Sequence, residues 1–201
     1  MRRLLAIDTA APRLQLALLA ADGQLETLVE DMPTGQAERL FPALASLLAR
    51  AGAGYADLSR IAVSTGPGSF TGLRIGLSAA RGLGLALGLP VLGIPSLLAL
   101  SLAGPDAPVA VLLDARRDEA YLQLFSAPGA PLGPAQLLPM DEARRRVPAG
   151  ARLCTAPFVD IGALARFALT ADPAAFPPAA AYVRDADAKP QQRFRIARVP
   201  A

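Results

Sequence analysis

Three apolar strands joined by tight turns open the chain, and the order of the segments that follow limits the folds available to it. Asp22-Gly23 is a strong hairpin-turn sequence between the second and third strands. The predicted strands are 4–9, 13–20, 24–31, 60–65 and 90–94, and the predicted helices are about 35–51, 69–88 and 95–103. Because a parallel pair of strands needs a crossover and each helix supplies one, this order is that of a ribonuclease-H-like lobe, the unit of the actin and sugar-kinase fold.

The segment 109–125 repeats the pattern with which the chain begins. A buried strand ends at Asp114, as the first strand ends at Asp8, and after a short turn a second strand alternates apolar and polar residues. We therefore predict an α/β chain with a two-lobe actin-like ATPase fold whose second lobe is truncated. The predicted division is a first lobe at 1–104, a smaller second lobe at 105–185 and a polar basic tail at 186–201.

Asp8, Thr9 and Asp114 are the candidate residues for a vestigial nucleotide site. In a two-lobe ATPase, each lobe offers a hairpin whose turn amides hold phosphate and whose aspartate holds Mg²⁺ through water. That role needs glycines in the turns, yet the turns here are DTAAPR and DARRDE, with no glycine in either. These turns favour the alternative, in which both aspartates end strands and cap turns.

The residues that the sequence lacks exclude several kinds of chemistry. It has no histidine, which excludes Ser-His-Asp and Cys-His catalysis, HExxH zinc sites and any histidine acid or base. Lys189 is the only lysine and lies in the predicted tail, so no Walker A lysine follows the glycine-rich loop. A single cysteine and the lack of a long apolar run predict a cytoplasmic chain without a membrane span. The net charge of +3 is weak evidence for a nucleic-acid site.

A stripe of small residues at every fourth position runs along the second predicted helix: Gly72, Gly76, Ala80, Gly84 and Gly88. Each glycine inside a helix costs about 1 kcal/mol relative to alanine. Small residues spaced by four let another helix approach closely, and the leucines around the stripe make the helix apolar on nearly every side, which is typical of full burial. We therefore expect a partner chain to cover the stripe. The alternative is that the stripe packs within its own lobe.

The loop TGPGSFTG, residues 65–72, precedes this helix and offers Ser69 and Thr71 as candidate N-caps. Free amides at a helix N-terminus attract anions, but no lysine is nearby, and Pro67 and Phe70 lie within the loop. We therefore predict a rigid turn that sets the angle of the helix rather than a tight phosphate-binding loop.

Four stretches together resemble the TsaB (YeaZ) family: LLAIDTA at 4–10, GPGSFTGLRIGLSAARGLGLALGLPVLGIPSL at 66–97, DARRDEAY at 114–121 and YVRD at 182–185. The resemblance implies a two-lobe actin-like subunit with no catalytic residue, metal or cofactor of its own. It implies that TsaD, its partner, carries the metal and performs the transfer, so ATP and metal are expected on partner subunits. With TsaE, the two attach threonylcarbamoyl, taken from threonylcarbamoyl-AMP, to the adenosine 3′ of the anticodon in tRNAs that read codons starting with A.

The resemblance also implies the surface of contact. The family joins TsaD through its first two helices, here about 35–51 and 69–88, and a homodimer is expected when the partner is missing. tRNA is expected to bind only through the complex. The chain departs from the family at Gln36, where a histidine usually stands, and in its shorter second lobe. The predicted interface residues are Leu40, Leu44, Leu47, Phe70, Gly72, Leu73, Gly76, Leu77, Ala80 and Gly84.

Two other functions compete with this one: a stand-alone ATP-dependent phosphotransferase of the sugar-kinase type and a glycoprotease-like peptidase. The lack of histidine and of glycine-rich phosphate hairpins weighs against both.

A further hypothesis concerns the tail, in which a phenylalanine lies among basic residues. Segments of that composition stack on RNA bases or fold on binding. We favour the simpler interpretation of a polar end that keeps the protein soluble. The residues concerned are Phe194 and the basic Arg184, Lys189, Arg193, Arg195 and Arg198.

Overall fold

The computed structural model describes residues 2–181. Five strands form its first sheet: β1 (Arg3–Asp8), β2 (Arg13–Ala20), β3 (Leu25–Asp31), β4 (Leu58–Ser64) and β5 (Val91–Ile94). They lie in the order β3-β2-β1-β4-β5. The first three pair antiparallel, whereas β4 runs parallel to both β1 and β5. This arrangement confirms the predicted ribonuclease-H-like lobe.

Two long helices, α1 (Gln36–Arg50) and α2 (Phe70–Leu87), cover one face of the first sheet. Their leucines pack with apolar side chains of β1, β2 and β4 into one buried cluster. Pro42 lies inside α1, which continues through it. At the end of α2, Gly88 adopts a φ of +64°, a conformation that ends helices and that glycine adopts without steric cost. A short helix, α3 (Ser96–Ser101), follows β5 and packs on the opposite face of the sheet.

The second sheet contains the predicted hairpin and two short strands that the sequence pattern did not predict. Its elements are β6 (Val109–Arg116), β7 (Glu119–Ala127), β8 (Ala130–Pro131), β9 (Gln136–Pro139), α4 (Met140–Arg145) and β10 (Arg152–Cys154). The strand order is β10-β6-β7-β8, and β9 also pairs with β7. β8 and β9 span two and four residues, which is too short for an alternating pattern to be recognised. Helix α4 packs on one face of this sheet.

One buried hydrophobic cluster contains residues of both sheets and of the last helix. Helix α5 (Ile161–Thr170) follows the second sheet in the chain, yet it packs against β1 and β2. Leu164 and Ala165 of α5 lie in the same buried cluster as Leu4 of β1 and Phe125 of β7. Residue 104 lies between the two sheets along the chain, and α5, which the predicted division places in the second lobe, packs on the first sheet.

The described chain ends along the edge of the first sheet. The Gly93 amide donates to the carbonyl oxygen of Phe176 at 2.9 Å, and the Ala181 amide donates to that of Thr65 at 2.8 Å. No helix within residues 2–181 is long and apolar enough to cross a membrane. The motif YVRD and the predicted tail lie outside the described residues. The molecule has the two-lobe actin-like α/β fold with a short second lobe.

Candidate functional site

Four of the five small residues of the stripe face the interior of their own lobe, namely Gly72, Gly76, Ala80 and Gly84, whereas Gly88 is exposed just after α2 ends. A Cβ atom added at Gly76 would lie 2.6 Å from Thr9 Oγ1 and 3.3 Å from Val63 Cγ2. An added Cβ atom at Gly84 would overlap Val91 of β5, and one at Gly72 would overlap the backbone carbonyl of Thr9. The glycines therefore let α2 lie very close to its own sheet, and the expectation that a partner chain covers them is wrong.

This packing also corrects the predicted interface. Nine of the ten predicted residues are buried within the chain itself, because α1 and α2 turn these side chains towards the sheet; they are Leu40, Leu44, Leu47, Gly72, Leu73, Gly76, Leu77, Ala80 and Gly84. Phe70 differs from them, since 56% of its surface is exposed. Of the ten, Leu40 and Phe70 also line the exposed side of the helix pair, whose other lining residues were not in the prediction.

An open groove of about 790 Å³ lies between α1 and α2 on this exposed face. Two phenylalanines stand at its walls, Phe41 of α1 and Phe70 of α2, with 47% and 56% of their surfaces exposed. The Arg74 guanidinium lies over the Phe70 ring, 3.7 Å from the ring centre. On α2 the groove is lined by a second stripe, one residue before the buried one: Thr71, Ile75, Ala79 and Leu83. This second stripe, together with exposed Phe41, was the signal in the sequence that could have located the groove.

A second cavity, of about 620 Å³, lies between the two lobes and is here called the interlobe cleft. Its walls include both Asp8 and Asp114, which the sequence placed at equivalent points of the two hairpins. The Asp8 carboxylate is fully buried and accepts a hydrogen bond from Gln15 Nε2 at 3.1 Å. Burial raises the pKa of the Asp8 carboxyl above its ordinary value, although this hydrogen bond opposes the shift.

Thr9 does not line the cleft with its two predicted companions. Its side chain is buried, and its hydroxyl donates a 2.7 Å hydrogen bond to the backbone carbonyl oxygen of Gly72 in the first turn of α2. The structure thus joins Asp8 and Asp114 at one cavity and gives Thr9 a separate role in holding α2.

The two aspartates make the same local contact. Asp8 Oδ1 accepts a hydrogen bond from the Ala10 amide at 3.2 Å, and Asp114 Oδ1 accepts one from the Arg116 amide at 2.7 Å. Each carboxylate therefore caps the turn that follows its strand, as the alternative interpretation of the sequence held. In each turn, one backbone amide is therefore bonded to the aspartate of its own hairpin.

The loop before α2 rests on the first of these turns. The Ser69 amide donates to the carbonyl oxygen of Ala10 at 2.7 Å, and a Cβ atom at Gly68 would lie 2.6 Å from that same oxygen. Ser69 Oγ accepts a hydrogen bond from the Gly72 amide at 3.3 Å and so caps the helix. These contacts confirm Ser69 as the N-cap and are as expected for a turn that sets the angle of α2.

Several known proteins resemble this chain in sequence or in fold. Residues 34–133 match the family described as "TsaD: tRNA N6-adenosine threonylcarbamoyltransferase". The tRNA threonylcarbamoyladenosine biosynthesis protein TsaB of Bacillus subtilis is 36% identical over 124 residues, which cover 61% of this chain and 54% of that protein. The protein of the same name from Escherichia coli is 35% identical over 123 residues, which cover 59% of this chain and 53% of that protein. The structure of YeaZ from Pseudomonas aeruginosa aligns with a TM-score of 0.74 and 27% identity, covering 90% of this chain and all of that one. In sequence and in fold, the chain is similar to the TsaB (YeaZ) family. It spans about half the length of the curated TsaB relatives that it matches.

A glutamine stands at the start of α1, and the fold accommodates it through two hydrogen bonds. Gln36 is buried, and its Nε2 donates to the carbonyl oxygens of Ala11 and Arg13 at 2.9 and 3.0 Å. The side-chain amide thus ties the first residue of α1 to the turn between β1 and β2. Within residues 2–181, no group of three or more histidine, cysteine, aspartate or glutamate side chains is placed to hold a metal ion.

Proposed function

We propose that the chain is a non-catalytic subunit of the complex that forms threonylcarbamoyladenosine in tRNA, and that it docks on the TsaD subunit through the groove between α1 and α2. The observation that carries this proposal is the groove itself, with Phe41 and Phe70 exposed on its two walls. The names of the TsaB relatives supply the pathway, since each is described as a tRNA threonylcarbamoyladenosine biosynthesis protein.

The chemistry of the groove fits a helix from another protein. Exposed apolar surface of this kind marks sites of association, and an amphipathic helix lays its apolar face into such a groove. Complete burial of one phenylalanine side chain contributes about 1.5–3 kcal/mol. The two phenylalanines together are therefore sufficient to act as the anchors of an interface. A second copy of the chain would use the same groove when TsaD is absent, which accounts for the expected homodimer.

The turns at the interlobe cleft bear on which subunit of the complex binds ATP and metal. Because neither turn carries a glycine and one amide of each is bonded to its own aspartate, we assign ATP and metal to the partner subunits TsaD and TsaE. The sequence has no histidine to serve as an acid, base or metal ligand. tRNA would then bind through the assembled complex in the cytoplasm, and this chain would contribute by holding TsaD in its working assembly. The phosphotransferase and peptidase alternatives receive no support from these residues.

Affinity for purified TsaD from the same organism tests the proposal. Phe70→Ala and Phe41→Ala should each raise the Kd about tenfold or more, because each removes an anchor. Gly82→Arg should have a similar effect, since a side chain at Gly82 meets open space in the groove and leaves the fold intact. Leu132→Ala is the matched control, because Leu132 is 66% exposed on the second lobe, away from the groove. Normal binding by all three groove variants would refute docking at this site.

A further inference from the structure

The turn between β1 and β2, residues 9–12, is bonded to the first residues of both groove helices. Gln36 Nε2, at the start of α1, donates to the carbonyl oxygens of Ala11 and Arg13. At the start of α2, the Ser69 amide donates to the carbonyl oxygen of Ala10 at 2.7 Å, and the Thr9 hydroxyl donates to that of Gly72 at 2.7 Å. One short turn therefore fixes where both helices begin.

These bonds lie next to the side chains that form the walls of the groove. Phe70 stands between Ser69 and Gly72, both of which are bonded to the turn. Phe41 follows Gln36 by five residues in α1. Since the helices are rigid over such distances, a shift at either bonded end moves the corresponding phenylalanine. The separation of the two rings thus depends on the turn.

From this arrangement we infer that Thr9 and Gln36 are positioning residues for the docking groove, and that residues 9–12 act as a clamp on the two helices. The inference rests on the proposed docking of TsaD in this groove. The position that carries a phosphate-binding turn in an actin-like ATPase is used here to hold a protein-binding surface. Thr9 acts through Phe70, because its hydrogen bond ends two residues beyond that ring.

A double-mutant cycle separates positioning from general stabilisation. Thr9→Val keeps the shape of the side chain and removes the hydroxyl donor. It should raise the Kd for purified TsaD about tenfold in the otherwise unchanged protein and less than about twofold in the Phe70→Ala background. Thr9→Ser, which retains the hydroxyl, should restore binding. Gln36→Leu, which removes both hydrogen bonds at the start of α1, should weaken binding in the same way as Thr9→Val, by acting on Phe41.

Ser101→Ala is the matched control for loss of a buried hydrogen bond elsewhere in the fold. Ser101 is fully buried on the opposite side of the first sheet, and its hydroxyl donates to the carbonyl oxygen of Leu98 at 2.7 Å. This variant should lower the melting temperature and leave the Kd for TsaD unchanged. The inference is overturned if Thr9→Val and Gln36→Leu bind normally, if Ser101→Ala weakens binding equally, or if the effect of Thr9→Val persists without Phe70. If the unchanged protein does not bind TsaD, the proposed function itself is wrong.

Discussion

The backbone carbonyl oxygen of Thr9 occupies the space that a side chain at Gly72 would need. Gly76, one turn later in α2, is also confined, by the Thr9 hydroxyl and by Val63. Gly76→Ala should therefore lower the free energy of unfolding by about 1–3 kcal/mol, because the added methyl group forces α2 away from its sheet. Urea unfolding followed by circular dichroism measures this change.

Gly82→Ala in the same helix is the control for that prediction. A Cβ atom at Gly82 meets nothing within 4 Å, so alanine there should raise the free energy of unfolding by about 0.5–1 kcal/mol through its better helix propensity. Equal effects at Gly76 and Gly82 would contradict the inward orientation of the buried stripe.

Burial of Asp8 should make stability depend on pH. Since burial raises the pKa of this carboxyl above its ordinary value of 3.8, the folded protein binds the Asp8 proton more tightly than the unfolded chain. The contribution to stability is fully present below the ordinary pKa and is lost as pH rises through the folded pKa. Asp8→Asn stays neutral, so its stability relative to the unchanged protein should rise between about pH 4 and pH 7.

Asp22→Asn provides the comparison for this pH effect. Asp22 also caps a turn, accepting a hydrogen bond from the Gln24 amide at 3.0 Å, but it is exposed. Thermal unfolding of the three proteins across this pH range measures the difference. The same trend in Asp22→Asn as in Asp8→Asn would show that burial is not its cause.

Arg60 of β4 holds the end of α5 against the first sheet. Its Nη1 donates to the carbonyl oxygens of Ala168, Leu169 and Ala171 at 2.7, 3.1 and 2.8 Å. Arg60→Met keeps the aliphatic length of the side chain but leaves these carbonyls without their charged donor, and should cost about 1.5–3 kcal/mol of stability. Arg81→Met, on the exposed face of α2, should change the melting temperature little. A small effect at Arg60 would mean that water replaces the guanidinium.

The turn between β6 and β7 places side chains where glycine would be more stable. Arg116, Arg117 and Asp118 all have positive φ, at 63°, 54° and 58°, and a left-handed conformation costs a residue with a side chain about 1–2 kcal/mol. Arg116→Gly should therefore raise the free energy of unfolding by about 1 kcal/mol. Arg116→Ala removes the same charge but keeps the Cβ atom, so it should give no such gain. Equal stabilisation by both variants would assign the effect to charge instead.

The sequence predicted the strand order and the equivalent positions of Asp8 and Asp114 in the two hairpins. Both depend on local patterns, and the hairpin pattern repeats between the lobes. It did not predict which side of α2 faces outward. That helix is apolar on several sides, and Gly76 and Ile75 differ by one position, so periodicity alone could not assign the buried face. The Thr9 hydroxyl bonds to a residue of α2 that lies 63 positions away in the sequence. A local sequence pattern cannot predict such a contact.

Helix α5 covers the first sheet although it is among the last described segments to be made. While the ribosome is still adding residues 161–170, the side of that sheet on which Leu4 and Ala6 lie has not received its final cover. The first lobe therefore cannot complete its folding before residues 161–170 have been made, and its leucine-rich surface stays open to chaperones until then. Truncation of the chain before α5 would leave it in that state permanently.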